Sequence, residues 1–476
     1  WQPGDPSTPG YASTAGAARV NADDMVAISK IPSLPISFAD AVPILKSLNG
    51  HGPRASTLGP RWATGGLEYQ GVQYSVGPSP ANLKLHLINN QNYTTTTIHN
   101  LIGVINSTSS DEVVVMGNHH DSWTVGGAAD PHSGSAALNE IVHSFGKALS
   151  KGWRPRRTII FASWDGEEYG MLGSTEWVEE HLDWLSEHTV TYLNSDPGVS
   201  GDEFFARSVP LLDHMLYRNA EAVTSPRSSH SNRTIRDDWD GEIQTVGSGS
   251  DYVAFLGHTG ISVMDIGFST SERAATYHYH SNYDSIAWLD RFGDPGSGTQ
   301  VVLAQLWGLI AADLVESTIL PFNVTNYAVA IQAYISDLEK LSEFENLGAS
   351  GPYLSDELLQ ASKRFLEAAQ TFDKSVARVQ YAVTANTQSV DATAENVQAI
   401  NRKLMGLERQ FLLKDGLDGR SWFKHTVFAP GLWTGYSGVT LPGLRETIQA
   451  HDEPGIARWN NIMVAVLLSA TAWLDD

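Results

Sequence analysis

The chain has 476 residues, which is enough for two or three domains and a large apolar core. Its net charge of −22 argues against binding to nucleic acid or to anionic membranes, because both require a basic surface. Cysteine is absent, so no disulfide framework exists. No apolar run reaches the length of a transmembrane helix; the best candidate, Ile462–Leu474, spans about 13 residues and is interrupted by Ser469 and Thr471.

Side chains of the kind that bind metal ions follow several predicted strands. The β-branched and apolar runs at residues 111–116, 158–164 and 189–193 each end in polar residues. The turn at residues 126–134, which leads into a helical pattern, and the segment 276–281 supply further candidates. Because ligands collect at the carboxyl ends of the strands in an open α/β sheet, we expect these side chains to converge. They are His119, His120, Asp121, Asp130, Glu167, Glu168, Asp196, His278 and His280.

The adjacent carboxylates of Glu167 and Glu168 are the most informative part of this set. Two neighbouring acids repel each other unless a cation or a proton lies between them. The alternative is a solvated helix N-terminus, where the helix dipole favours acids. A mixed set of His, Asp and Glu without cysteine suits zinc, and bridging carboxylates suit two ions.

The spacing of the histidines leaves one choice open. On an extended segment only one of His119 and His120 can point into the site. His278 and His280, in contrast, share a face of an extended segment, so spacing alone does not choose between them.

Five motifs, in the right order, resemble the co-catalytic zinc peptidases of the glutamate carboxypeptidase II (prostate-specific membrane antigen) family, which is related to transferrin receptor. The resemblance covers essentially the whole chain. Residues 152–158 and 172–177 look like that family almost word for word. The five motifs are His119–Asp121, Asp130–Gly134, Trp164–Gly170, Asn194–Asp196 and Tyr279–Ser281.

The resemblance implies a role for each candidate. Glu167 would be the general base, which takes a proton from water and returns it to the leaving amine. Asp121 would orient His119. The Tyr-His-Ser match favours His280 over His278. The implied zinc ligands are His119 and Asp196 for one ion, Glu168 and His280 for the other, and Asp130 as the bridge between them.

The same resemblance implies an α/β fold class, with a zinc-aminopeptidase-like, three-layer α/β/α protease domain built on a mixed sheet. We expect residues 1–93 to be the C-terminal remainder of a protease-associated (apical) domain, residues 94–320 the dizinc peptidase domain, and residues 321–476 a helical dimerisation domain. Apolar side chains at helical spacing within residues 327–341, 358–376, 400–411 and 459–474 support the last assignment. The expected partners are a second copy of the chain and a separate N-terminal chain that completes the apical domain.

A second metal site is implied near the start of the chain. Asp5–Tyr11 matches the calcium segment of the family, and Glu176 and Glu179, one helical turn apart, match its carboxylates. Oxygen ligands that include two acids suit structural calcium. The alternative is a solvated helix face with acids three residues apart. The implied calcium ligands are Thr8, Tyr11, Glu176 and Glu179.

The implied substrate pocket departs from the family pattern. Asp265 stands where the family has an arginine, Ser250 replaces an asparagine, and Gly435 replaces a lysine. A pocket with a carboxylate and no guanidinium would repel an acidic P1 side chain and accept a neutral or basic one. The implied substrate-binding residues are Gly170, Met171, Gly249, Ser250, Asp265, Tyr279 and Tyr436.

These observations predict a secreted dizinc metallo-exopeptidase that is carboxypeptidase- or dipeptidase-like and prefers non-acidic peptides. One alternative is an aminopeptidase or an N-acyl amino acid hydrolase on the same site. Another is a catalytically inactive binding protein of the transferrin-receptor kind, against which the retention of all five ligands and the base argues. The sequons at Asn92, Asn106, Asn232 and Asn323 predict an extracellular, N-glycosylated protein.

Overall fold

The structure is a computed structural model that describes residues 2–227, 232–344, 353–385 and 393–475. Its contacts divide the chain into two compact units, of which Val26–Thr97 form the smaller and Trp1–Met25 with Ile98–Asp476 form the larger. Residues 1–25 therefore pack with the unit that contains the predicted peptidase domain. The predicted domain boundaries at residues 93 and 320 stay predictions.

The larger unit contains a mixed seven-stranded sheet and a two-stranded hairpin. The strand predicted at residues 158–164 has the same bounds in the structure. The strands are β1 (Leu101–Ile105), β2 (Val113–His119), β3 (Thr158–Trp164), β4 (Thr189–Asn194), β5 (Glu203–Ser208), β6 (Ile243–Gln244), β7 (Ser262–Ser269), β8 (Phe428–Pro430) and β9 (Gly438–Thr440).

The order of the sheet is β1-β3-β2-β4-β7-β5-β6. Strands β3, β2, β4 and β7 are parallel to one another, whereas β1 and β5 run antiparallel to their neighbours β3 and β7. Every residue of β2 and β4 is buried, as expected for parallel strands covered on both faces. The carboxyl ends of four parallel strands thus lie side by side, which is where the polar segments begin.

Helices cover this sheet and form the C-terminal part of the chain, and the predicted α/β class is confirmed. The helices are α1 (Phe38–Lys46), α2 (His132–Ser150), α3 (Leu172–Glu180), α4 (Leu182–His188), α5 (Asp213–Ala222), α6 (Ile235–Asp238), α7 (Tyr252–Thr259), α8 (Ile286–Trp288), α9 (Gly298–Glu316), α10 (Val324–Phe344), α11 (Asp356–Thr384), α12 (Ala394–Gly406), α13 (Pro442–Gln449) and α14 (Glu453–Asp475).

The C-terminal helices confirm the stripes read from the sequence. Helices α10, α11, α12 and α14 contain the four predicted segments, although α12 ends at Gly406 and a short 3₁₀ turn, Glu408–Phe411, carries the end of the third stripe. Leu338, Phe365, Leu404 and Leu467 are fully buried in one apolar core that is continuous with that of the sheet. Burial of these stripes stabilises the bundle.

Helix α9 is longer and more apolar than was expected from the sequence for any segment of the chain. Among the described residues it is one helix that is long and apolar enough to cross a membrane, so the expectation that no apolar run reaches this length is wrong. Half of its most apolar window is buried inside the protein, and Leu303, Leu306 and Trp307 lie in the core. Such burial is what a core helix of a globular domain shows.

The smaller unit, Val26–Thr97, contains helix α1 and several 3₁₀ turns. Helix α1 begins after Ser37, whose side chain accepts a hydrogen bond from the Asp40 amide as an N-cap. Val42, Leu67 and Val72 form a small apolar core of their own.

Candidate active site

The carboxyl edge of the parallel sheet delivers the predicted ligands to one place. His119 is the last residue of β2, Glu167 and Glu168 follow β3, and Asp196 follows β4. Asp130 lies in the turn just before α2. His280 comes from the loop that follows β7. Residues far apart in the chain therefore meet because their strands are neighbours in the sheet.

Around His119 three carboxylates converge on one imidazole nitrogen. Its Nε2 lies 2.7 Å from Asp196 Oδ1, 3.4 Å from Asp130 Oδ1 and 3.8 Å from Glu167 Oε2. Its Nδ1 donates to the carbonyl oxygen of Asp121 at 2.9 Å. Because a carbonyl oxygen only accepts, Nδ1 carries a proton, and Nε2 is the nitrogen that faces the carboxylates and would be free to bind a metal ion once deprotonated.

Around His280 two carboxylates converge in the same way. Its Nε2 lies 3.0 Å from Glu168 Oε2 and 3.4 Å from Asp130 Oδ2. Asp130 therefore presents one oxygen to each histidine, as a bridging ligand does. The backbone of His280 has φ of 53°, in the left-handed region that non-glycine residues rarely adopt. Strain of this kind concentrates at functional sites, where the surrounding structure holds it in place.

These side chains fit a pair of metal ions by their chemistry. Two ligand groups stand out among the described residues, one of His119, Glu167 and Asp196 and one of Asp130, Glu168 and His280. No ion pair of the described residues joins a lysine or an arginine to any of these four carboxylates. Four nearby acids without a lysine or arginine partner favour bound cations, and nitrogen with carboxylate oxygen ligands suits zinc.

The pKa values of the site reflect this crowding. Burial raises the pKa of the Glu167 carboxyl well above its usual value, and the charges of Asp196 and Glu168 add to that effect. Burial alone would raise the pKa of Asp130, but hydrogen bonds from His119 and His280 outweigh it and lower the pKa to about 2. Burial alone would lower the pKa of His280, but Asp130 and Glu168 outweigh it and raise the pKa to about 9. Glu167 is thus a stronger base than an ordinary carboxylate, as a proton carrier should be.

The histidine alternatives have clear positions. His120 Nδ1 lies 2.9 Å from Ser163 Oγ, so its ring points away from the site and His119 points into it. The ring of His278 packs against Tyr283, with 5.5 Å between the ring centroids, whereas His280 contacts Glu168. The structure therefore brings together the histidines that the motifs favoured.

Asp121 contacts His119 through its main chain and, at a longer distance, through its carboxylate. Its main-chain carbonyl, not its carboxylate, makes the short contact with His119, since Oδ1 is 3.5 Å from Nδ1. Its carboxylate accepts the main-chain N–H groups of Glu167, at 3.0 Å, and Glu168, at 3.2 Å. Asp121 therefore holds the turn that carries both glutamates.

Two of the predicted substrate-binding residues offer no surface to a substrate. Asp265 is 0% exposed and Ser250 is 2% exposed. The Ser250 hydroxyl accepts from Asn194 Nδ2 at 3.0 Å and donates to Asp196 Oδ2 at 2.7 Å, so it supports the ligand Asp196. The prediction that Asp265 contacts a substrate is therefore wrong, because the sheet buries that position.

A guanidinium that the sequence prediction did not include lies beside Asp265. Arg207 of β5 donates from Nη1 to Asp265 Oδ2 at 2.8 Å, and its side chain is 35% exposed. The antiparallel register of β5 and β7 places Arg207 directly opposite Asp265. Sequence reasoning missed Arg207 because no local pattern reveals which residue a distant antiparallel strand brings alongside. Of this ion pair, only the Arg207 side chain has exposed surface.

Among the other predicted substrate positions Met171 is buried, whereas Gly170, Gly249, Tyr279 and Tyr436 are at least partly exposed. The hydroxyls of Tyr279 and Tyr436 are 2.5 Å apart, and both side chains are exposed. The Tyr279 ring stacks on His280, with 3.6 Å between the centroids. Gly170 and Gly249 have φ of 113° and 102°, values that a residue with a Cβ rarely adopts. The loop between β8 and β9 thus brings Tyr436 next to Tyr279, which in turn lies against His280.

The predicted calcium residues lie on two segments that contact each other. Glu176 accepts the main-chain N–H of Asp5 at 2.6 Å and of Ser13 at 2.5 Å, which ties the first residues of the chain to α3. Thr8 Oγ1 and Glu179 Oε2 are buried and have no hydrogen-bond partner. Burial raises the pKa of Glu176 and of Glu179 to about 7. Unpartnered buried oxygens beside two carboxylates are a donor set that fits calcium.

Comparisons with known proteins agree with this geometry. Residues 100–298 match the family model described as Peptidase family M28, and residues 355–475 match the transferrin receptor-like dimerisation domain. A "Probable glutamate carboxypeptidase" of Arthroderma benhamiae is 39% identical over 435 residues, which cover 87% of this chain and 56% of that protein. "Aminopeptidase NAALADL1" of Rattus norvegicus is 33% identical over 471 residues, which cover 93% of this chain and 60% of that protein.

A solved zinc aminopeptidase from Bacillus subtilis is similar over 46% of this chain and 50% of its own, with 19% identity and a TM-score of 0.36. The chain spans less than two thirds of the length of the two curated relatives. The two family matches, in this order along the chain, confirm the resemblance stated from the sequence. The chain therefore carries a Peptidase family M28 domain at residues 100–298 and a transferrin receptor-like dimerisation domain at residues 355–475.

Proposed function

We propose that this chain is the catalytic part of a dizinc metallo-exopeptidase that hydrolyses peptide bonds. The observation that carries the proposal is the position of Asp130, whose two carboxylate oxygens lie 3.4 Å from His119 Nε2 and 3.4 Å from His280 Nε2. Asp196 would complete one zinc site and Glu168 the other. The intact ligand set and base also argue against an inactive binding protein on this fold.

The residues of the chain divide the chemical work between them. When bound, zinc supplies a Lewis acid that polarises the scissile carbonyl and lowers the pKa of water. Glu167 takes a proton from the attacking water as its oxygen bonds to the carbonyl carbon. Glu167 then gives that proton to the amine nitrogen as the C–N bond breaks. The raised pKa of Glu167 supports this role, because a less acidic carboxyl accepts a proton from water more readily.

We propose carboxypeptidase- or dipeptidase-like trimming, with aminopeptidase or N-acyl amino acid hydrolase activity as the alternative. Relatives named glutamate carboxypeptidase and aminopeptidase support this pair of possibilities. The accessible guanidinium of Arg207, paired with the buried Asp265, supports tolerance of acidic as well as neutral P1 side chains. The alternative is the preference for non-acidic residues that the sequence alone suggested.

We further propose a structural calcium ion held by Thr8, Tyr11, Glu176 and Glu179. The unpartnered oxygens of Thr8 and Glu179 support this site. Tyr11 lies three residues from Thr8 in the same turn, where its main-chain N–H donates to the Thr8 carbonyl at 3.2 Å. The ion would fasten the first residues of the chain to α3, the helix that follows the Glu167–Glu168 turn.

The expected assembly and location are part of the same proposal. The match to a dimerisation domain over residues 355–475 supports a homodimer, and the partial coverage of the relatives is compatible with a separate N-terminal chain. Asn92, Asn106 and Asn232 are exposed and free to carry glycans on a secreted protein. Asn323 differs, because its side chain accepts the main-chain N–H of Asn326 at 2.8 Å and lies partly buried.

The test is peptide-library digestion read by mass spectrometry, combined with elemental analysis of the same protein. We expect two zinc ions per chain, loss of one terminal residue or dipeptide at a time, and loss of activity on chelation. A chain that holds no zinc, or that digests peptides equally well after zinc removal, would refute the dizinc proposal. The end of the peptide that is shortened decides between carboxypeptidase and aminopeptidase action.

A further inference from the structure

A buried carboxylate outside the ligand set lies between the two loops of the metal centre. Asp284 is 3% exposed and follows His280 by four residues. Its Oδ1 accepts the main-chain N–H of Ala129 at 2.8 Å, and its Oδ2 accepts that of Asp130 at 3.1 Å. The Tyr277 hydroxyl donates to the same Oδ2 at 3.0 Å. One side chain thus connects the loop of Asp130 with the loop of His280.

The loop of His280 is closed around Asp284 from both ends. The main-chain N–H of Asp284 donates to the Ser281 carbonyl at 3.0 Å, which forms a tight turn directly after His280. The bond from Tyr277 secures the residues before His280. The strained backbone of His280, with φ of 53°, lies between these two anchors.

The two loops also pack closely through their main chains. A Cβ placed on Gly126 would lie 2.0 Å from the Asp284 carbonyl oxygen, far inside van der Waals contact. Only glycine allows the 126–130 loop to approach this closely. The carboxylate of Asp284 and the approach at Gly126 therefore fix the same distance, that between the Asp130 loop and the His280 loop.

We infer that Asp284 is a positioning residue, which sets the separation of the two zinc sites by locking the bridging carboxylate of Asp130 to the His280 loop. The inference rests on the proposed dizinc function. Asp284 does not face a ligand nitrogen itself and acts through the main chain of Asp130. Groups of this kind that orient metal ligands typically contribute 10–100-fold, roughly, to metal affinity.

The chemistry of the side chain makes the role specific to a carboxylate. Two main-chain N–H groups and one hydroxyl all donate to Asp284, and a carboxylate accepts from all of them. Asn at this position would turn an NH₂ group toward at least one N–H donor. A buried donor facing a donor loses the hydrogen bond and drives the two loops apart.

The experiment compares Asp284→Asn with Asp294→Asn in the zinc-loaded chain. Asp294 is a matched control, because it is 4% exposed and likewise accepts two main-chain N–H groups, those of Thr299 and Gln300, each at 2.9 Å. It caps α9 and contacts no predicted ligand in the described structure. Zinc retention is measured by titration with a chromophoric chelator, and folding by far-ultraviolet circular dichroism and thermal unfolding.

We expect Asp284→Asn to bind at least one of the two zinc ions about 10–100-fold more weakly than the wild type does. Asp294→Asn should lower thermal stability and leave zinc affinity unchanged. Tyr277→Phe removes one of the three bonds and should weaken zinc retention by a few-fold, roughly, which keeps the test valid if Asp284→Asn does not fold. The role of Asp284 would be overturned if Asp284→Asn and Tyr277→Phe bound zinc as tightly as the wild type does. It would also be overturned if Asp294→Asn lost as much zinc affinity as Asp284→Asn. A wild-type chain without zinc would refute the proposed function, and the role of Asp284 with it.

Discussion

Removing the predicted calcium ion should make the stability of this protein decrease as pH rises from about 4.5 to 7. The reason lies in Glu176 and Glu179, whose pKa values burial raises from 4.5 to about 7. In the unfolded chain these carboxyls lose their protons near pH 4.5, whereas the folded, calcium-free chain holds them up to about pH 7. Between these values the unfolded state binds fewer protons, so the free energy of unfolding falls with rising pH.

The size of this effect follows from the two pKa values. A rise from 4.5 to about 7 corresponds to about 3 kcal/mol of differential free energy for each carboxyl. Both side chains keep some solvent contact, which screens the charges, so we expect a loss of about 2–4 kcal/mol for the pair. Bound calcium stabilises both carboxylates in their charged form and should remove this loss.

The assay is urea unfolding at pH 5 and pH 7.5 with saturating zinc, in the presence and in the absence of calcium. Because other buried acids titrate in the same range, the difference between the two calcium conditions isolates the Glu176–Glu179 pair. Glu179→Gln is the matched variant, since an amide oxygen can still accept from Trp422 Nε1, which lies 2.8 Å from Glu179 Oε1. In Glu179→Gln the loss between pH 5 and 7.5 should be about half as large, and calcium should have little effect. Equal pH dependence with and without calcium in the wild type would refute the reasoning.

Three further predictions concern catalysis and specificity. Glu167→Gln should keep both zinc ions and lower kcat by about 10²–10⁴-fold, whereas Glu168→Gln should also weaken zinc binding; near-normal turnover by Glu167→Gln would contradict the base assignment. The double variant Arg207→Met/Asp265→Asn, which avoids leaving one buried charge unpaired, should lower kcat/KM for Glu-P1 peptides relative to Gln-P1 peptides by about fivefold, and an unchanged ratio would exclude Arg207 from specificity. Tyr436→Phe removes the hydroxyl that meets Tyr279 and should raise KM by a few-fold, roughly, with zinc content unchanged; loss of zinc in this variant would mean that the tyrosine pair supports the metal centre itself.

Much of the candidate metal site could be predicted from the sequence, because its strands and motifs are recognised from neighbouring residues in the chain. A continuous run of β-branched and aromatic residues, as in β3, indicates a buried strand. The carboxyl ends of parallel strands lie at one edge of the sheet. The five predicted ligands accordingly meet in the structure. The motif match also selected His280 over His278, a choice that spacing alone left open.

Some details of local structure were decided by packing. In α2 the apolar residues Ala136 and Val142 are exposed, whereas Ala137 and Leu138 are buried. The face that a helix buries depends on its rotation against the sheet, which neighbouring residues along the sequence do not specify.

The sequence by itself determined the ligand types, their order and the strands that deliver them, because strand periodicity and short motifs are properties of adjacent residues. Only the tertiary structure decided the roles of Asp265, Arg207, Asp121 and Asp284. Asp265 is buried and paired with Arg207 because an antiparallel strand 58 positions away in the chain lies beside it. Asp284 reaches the Asp130 loop across 154 positions. Contacts between such distant residues depend on register and loop packing, which are set by the fold as a whole and leave no periodic trace in the chain.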